Sequence, residues 1–109
     1  MRTYELVIIF DAGTEDSDIR KLLDQQTAGL SEGGAEVGKI DHWGLRRFAY
    51  EMNDRNEGYY VVLQTRSEPA PVKEVSRTLS LRDDVIRHRV VRIPDEMWGI
   101  TRPVESHEE

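Results

Sequence analysis

The sequence predicts an α+β fold in which a four-stranded antiparallel sheet carries two helices on one face. Three observations predict it. Segments of period two and period 3.6 follow one another as strand, helix, strand, strand, helix, strand between residues 2 and 93. Each helical segment has a single apolar stripe, so each covers something on one side only. The first strand is apolar on nearly both faces, which makes it central in its sheet. At 109 residues the chain has room for about one hydrophobic core and no second domain.

From Arg2 to Phe10, Tyr4, Leu6, Ile8 and Phe10 share one parity, and Thr3, Glu5, Val7 and Ile9 share the other. Asp11-Ala12-Gly13-Thr14 reads as a turn with Thr14 as N-cap, and Glu15, Asp16 and Asp18 set negative charge against the positive end of the helix that follows. In that helix Ile19, Leu22, Leu23, Gln26 and Leu30 form the buried stripe, which stops at Gly33-Gly34, where glycine adopts the left-handed cap. Val37 to Met52 is a long second strand bent at Trp43-Gly44, because glycine inside a strand pattern marks a bulge or bend. After a polar turn, Asn53-Asp54-Arg55-Asn56, Gly58 to Arg66 is a third strand, with Val61 and Leu63 in the core and the tyrosines as ordinary strand aromatics. Pro69 and Pro71 open a second helix with the stripe Val72, Val75 and Leu79, which Arg82-Asp83-Asp84 ends. Val85 to Ile93 is the fourth strand. Its better core parity contains Ile86 and Val90, which sends Arg87 and Arg89 to the opposite face with Val91.

The order β-α-β-β-α-β suggests two split βαβ units and the strand order 2-3-1-4, the ferredoxin-like arrangement, with residues 1–93 as the domain and 94–109 as a polar, acidic tail. Its helices leave one sheet face open, and that face is where a protein of this shape usually meets a partner.

A net charge of −6 counts against a nucleic-acid partner if taken as a total. By segment it resolves differently. Residues 1–45 hold four basic and nine acidic side chains, residues 46–92 ten and seven, and residues 93–109 one and five, so the nets are −5, +3 and −4. Of fifteen basic residues twelve are arginine, which forks onto phosphates and stacks on bases. The absence of cysteine excludes disulfides, thiolate metal sites and cysteine nucleophiles. The apolar run Leu6–Phe10 is too short to cross a bilayer or to form a signal-peptide core, so a cytoplasmic protein is expected.

Arg46-Arg47, between Trp43 and Phe48, suits RNA, with guanidinium groups on phosphates and rings on exposed bases, and equally suits a solvated strand edge. Arg87 and Arg89, at i and i+2 on one strand face, repel each other. A phosphate or a carboxylate such as Glu5 or Glu51 should offset them. No catalytic or metal site is expected. His42, His88 and His107 lie too far apart in the pattern to form a ligand pair, and no nucleophile elbow or phosphate-cradling glycine loop is present. The loop after the first strand is acidic and would repel an anion.

Met1-Arg2-Thr3-Tyr4-Glu5-Leu6, then Val37-Gly38-Lys39-Ile40, Trp43-Gly44-Leu45-Arg46-Arg47-Phe48-Ala49-Tyr50, Gly58-Tyr59-Tyr60 and Asp83-Asp84-Val85-Ile86-Arg87 carry a resemblance. Over about residues 1–93 the chain resembles the bacterial small-subunit ribosomal protein S-six family, most specifically in the WG-x-R-R-x-A-Y stretch. Phe48 stands where leucine is common in that family, and Glu51 where proline is frequent. The resemblance implies a ribosome-bound protein without catalytic activity or cofactor. Its partners would be the central domain of 16S rRNA, ribosomal protein S-eighteen and other small-subunit components, with no membrane and no small-molecule substrate. By position it implies RNA contacts at Arg2, Arg46, Arg47 and Arg87, and face arithmetic adds Arg89 and Arg92. Tails after the fourth strand can lie against the partner protein in this family, which marks Met97, Trp98 and Ile100 for that contact. The alternatives are a homo-oligomeric interaction or regulatory domain and a small ferredoxin-like enzyme, which would need a pocket with converging titratable groups.

Overall fold

In the computed structural model the four strands form one antiparallel sheet in the order second, third, first, fourth, as the sequence predicts. The structure describes residues 1–52 and 55–100, the side chains of residues 49, 51 and 52 excepted. The strands are β1 (Arg2–Asp11), β2 (Glu36–Met52), β3 (Arg55–Ser67) and β4 (Val85–Arg92); the helices are α1 (Asp16–Glu32) and α2 (Pro69–Ser80). A short 3-10 turn, Asp95–Met97, follows β4.

Both parities of β1 are buried because each face of the sheet has its own cluster. On the helix side Tyr4, Leu6, Ile8 and Phe10 pack with Ile19, Leu22, Leu23 and Leu30 of α1, Val61 and Leu63 of β3, and Val72, Val75 and Leu79 of α2. Full burial of each large member stabilises the fold by about 1.5–3 kcal/mol. On the other face Ile9, Phe48 and Tyr60 form a smaller cluster with Val7, Trp43 and Ile86 partly buried against it. The sheet is therefore sandwiched at its centre and only partly open on the face away from the helices.

Four local expectations change. Glu15, not Thr14, is the N-cap of α1, and its side chain makes no capping bond. The preceding turn is held by Asp11 instead: its Oδ1 accepts from the Gly13 N–H at 3.0 Å and its carbonyl from the Thr14 N–H at 2.9 Å, which draws Thr14 into the turn. β3 starts at Arg55 rather than Gly58; Arg55 pairs with Met52, and its Nε donates to Asp11 Oδ2 at 2.9 Å. On β4, Phe10 pairs with Val85 and Ile9 with Arg87, so Ile86 is the extra residue of a bulge. The bulge lets Val85 join the helix-side cluster and turns Ile86 to the opposite one, which reverses the parity expected for Ile86. Val90, opposite Leu6, remains on the helix side but is 38% exposed, because it lies on an edge strand.

The bend expected at Trp43-Gly44 is present. The β2–β3 register shifts between His42 and Gly44, and Gly44 has φ +83°, a backbone state that glycine enters without a Cβ clash.

Candidate nucleic-acid interface

Residues directly opposite in an antiparallel pair share a face, so the register places every candidate side chain. Arg89 pairs with Val7 and Arg87 with Ile9, which puts both on the helix-free face as expected. Arg46 pairs with Gly58, itself opposite Asp11 in the parity of Ile9, and joins them there. The helix-free cluster lies between these groups: Arg46 is on the β2 edge and Arg87 and Arg89 on the β4 edge, three strand spacings or about 14 Å away. Arg47, opposite Glu57, faces the other way, and Arg92, opposite Tyr4, is on the helix side. Arg2, opposite Ser67, shares the helix-side parity at the outer end of β1 and is exposed. The sequence grouped these six arginines, whereas the sheet separates Arg46, Arg87 and Arg89 from Arg2, Arg47 and Arg92.

The aromatic rings are held by one another. Trp43 and Tyr60 stack with centroids 6.3 Å apart and planes at 13°, and Phe48 tilts onto Tyr60 at 6.3 Å and 58°. Tyr60 is 1% and Phe48 8% exposed, so these two rings support the surface and do not offer faces for splayed bases. Gly58 makes the packing possible: a Cβ there would lie 2.6 Å from Ile9 Cγ2 and 3.0 Å from both Phe48 Cζ and the Phe10 carbonyl oxygen.

Ion pairing divides the arginines. Arg55 holds Asp11 at 2.9 Å, Arg66 reaches Glu36 at 3.8 Å, Arg77 meets Glu74 at 2.6 Å and Arg82 meets Asp84 at 3.0 Å. Among the described residues, Arg2, Arg46, Arg47, Arg87, Arg89 and Arg92 have no carboxylate within ion-pair distance. Arg46 donates from Nη1 to the carbonyl of Leu45 at 2.9 Å, which leaves its charge uncompensated. Glu5, expected as a counter-charge, lies on the same face but is only 2% exposed, opposite Gln64 and Val91.

The other end of this face is covered by the chain itself. Met97, Trp98 and Ile100, expected to meet a partner protein, lie against the sheet: Gln64 Nε2 donates to the carbonyls of Met97 at 3.1 Å and Ile100 at 3.3 Å, and Gly99 N–H donates to Gln64 Oε1 at 2.6 Å. The Arg66 guanidinium sits 4.3 Å from the centroid of the Trp98 ring, and Thr3 Oγ1 donates to Asp95 Oδ1 at 2.7 Å. Sequence reasoning missed Gln64 and Thr3. The available signal was Gly38, where a Cβ would meet the Trp98 ring at 2.5 Å, since a strand glycine marks close approach.

Among the described residues no enzyme-like constellation competes with this surface. The cleft beside the β1–α1 turn is lined by Asp11, Glu15, Asp18, Asp83 and Asp84 around Arg55, and its charge repels anions. The Gly13 N–H, followed by Arg55, holds the Asp11 carboxyl below its usual pKa of 3.8. Among the described residues no three metal-binding side chains converge. His88 shares a 2.8 Å hydrogen bond with Ser76 Oγ on α2, and burial lowers its pKa from 6.5, so it is neutral at pH 7. No helix among the described residues is long and apolar enough to cross a membrane.

Comparison with known proteins bears on the chain as a whole. A family model described as Ribosomal protein S6 matches residues 3–92. The small ribosomal subunit protein bS6 of Desulforamulus reducens is 40% identical over 84% of this chain and 97% of its own length, and that of Streptomyces coelicolor is 38% identical over 84% and 96%. The crystal structure of 30S ribosomal protein S6 from Thermotoga maritima superposes with a TM-score of 0.78 at 25% identity, covering 84% of this chain and 87% of that one. A de novo designed protein, Ferredog-Diesel, shares the fold alone, with a TM-score of 0.51 at 20% identity over 82% of this chain and 83% of that one.

Proposed function

The chain belongs to the Ribosomal protein S6 family, structural and non-enzymatic components of the small ribosomal subunit, and from that premise we propose that it binds the central domain of 16S rRNA jointly with ribosomal protein S-eighteen. As a small-subunit protein it is cytoplasmic and ribosome-bound. The observation that carries the RNA reading is the set Arg46, Arg87 and Arg89, three guanidinium groups on one sheet face that no carboxylate among the described residues neutralises. Arg55, Arg77 and Arg82 by contrast each hold a carboxylate, so the charges of Arg46, Arg87 and Arg89 are available to an external anion, and phosphate suits the guanidinium fork. The packed cluster of Ile9, Phe48 and Tyr60 lies between the two arginine edges. Arg2, Arg47 and Arg92 lie off this face and serve as contacts at its rim.

Joint binding follows from charge. Acidic segments of net −5 and −4 flank the basic middle, and the whole chain carries −6, so phosphates meet repulsion as well as attraction. A basic partner neutralises the acids and extends the RNA surface. Ile100, 48% exposed on the outside of the segment lying on the sheet, is accessible to that partner.

Salt dependence tests the interface. Replacing Arg46, Arg87 and Arg89 together with alanine should lower the slope of log K against log salt by about 2 to 3, because each lost phosphate contact removes about 0.7–0.9 from it. An unchanged slope overturns the assignment of this face.

A further inference from the structure

We propose that Gly38, Gln64, Arg66 and Thr3 form a peptide-recognition site on the helix-free face, and that its resident ligand is the chain's own segment Asp95–Ile100, held as a displaceable strap. The proposal stands apart from RNA binding, since the site occupies the opposite end of the face from the arginine-flanked cluster.

The site has the parts of a peptide receptor. Gln64 is 3% exposed and uses both ends of its amide on backbone groups: Nε2 on the carbonyls of Met97 and Ile100, and Oε1 on the N–H of Gly99. These bonds recognise main chain, so they require a turn conformation rather than a sequence. The side chain is recognised separately. The Trp98 ring has the bare backbone of Gly38 on one side, where a Cβ would intrude to 2.5 Å, and the Arg66 guanidinium 4.3 Å from its centroid. Gly99, at φ +81°, supplies the left-handed residue that returns its own N–H to Gln64. Thr3 fixes the entry through Asp95.

The strap is built to open. Ile93 is buried and its N–H donates to the Thr3 carbonyl at 3.0 Å, so it belongs to the sheet, whereas Pro94 is exposed and begins the turn that carries the strap. Beyond that point a few side-chain hydrogen bonds and one ring oppose the ordering entropy of six residues, and segments held this way open independently of the global fold. Opening uncovers Thr3, Gln64 and Arg66, making a second accessible zone on the sheet.

Two experiments on the full chain test the proposal. Native-state amide exchange should show Gly99 protected but exchanging at least tenfold faster than Leu63 in the centre of β3, and Gln64→Glu, which places a carboxylate against two carbonyls, should remove the Gly99 protection while Leu63 keeps its own. Exchange of Gly99 at the rate of Leu63, or unchanged protection in Gln64→Glu, overturns the strap. In the Trp98→Ala chain, whose substitution lies outside both clusters, a labelled peptide of sequence Pro-Asp-Glu-Met-Trp-Gly-Ile should bind by fluorescence anisotropy, and adding Gly38→Val should abolish binding. No binding to Trp98→Ala, or equal binding with Gly38→Val present, overturns the recognition site.

Discussion

Gly58 shows how a single missing side chain shapes the surface. Phe48 and Ile9 meet over it at distances that leave no space for a Cβ. Gly58→Ala should therefore destabilise the fold by about 1–3 kcal/mol, the usual cost of overpacking, read as a lower midpoint in urea denaturation. His88 sets a pH dependence. Its folded pKa lies below the 6.5 of the unfolded chain because burial disfavours the imidazolium. Protons then bind the unfolded state first, so this contribution is intact above about pH 6.5 and is lost as pH falls through 6.5 towards the folded value. The wild type should lose more stability between about pH 7.5 and about pH 5.5 than His88→Gln does. Equal losses would show that the ring is as easily protonated folded as unfolded.

Among the elements, β4 carries the sharpest functional contrast. Its alternation sends Arg87 and Arg89 to the helix-free face and Arg92 to the helix side. Single alanine substitutions at Arg87 and Arg89 should each weaken rRNA binding more than Arg92→Ala, measured by filter binding at fixed salt. The bulge at Ile86 was not legible in the sequence, because Val85 and Ile86 are both apolar and either could face the helices. What decided it was closure against β1, where Phe10 and Ile9 accept Val85 and Arg87. By contrast the buried stripe of α1 was legible, though its N-cap was not: Ile19, Leu22, Leu23, Gln26 and Leu30 are its buried residues, since a helix with one covered side must display its 3.6 period.

For the whole molecule the prediction concerns assembly. The isolated chain, at −6, should bind an rRNA central-domain fragment weakly and should bind it much more tightly once ribosomal protein S-eighteen is added. Titration of the fragment with and without the partner checks this, and equal affinities would remove the charge argument for joint binding. The same titration run on a sizing column separates joint binding from self-association, because a homo-oligomer would elute above 12.6 kDa without either partner.

By itself the sequence determined the order of elements, the strand order, the central position of β1 and the arginine-rich middle, because periodicity, glycine and proline placement and charge are local properties of the chain. Only the tertiary structure decided which arginines share a face, that Tyr60 and Phe48 are buried supports, and that Trp98 returns to Gly38. Those outcomes depend on register, and one bulge or one register shift turns a side chain to the other side of the sheet. Adjacent Arg46 and Arg47 therefore face opposite ways, while Arg46 and Arg87, forty-one positions apart, share one surface.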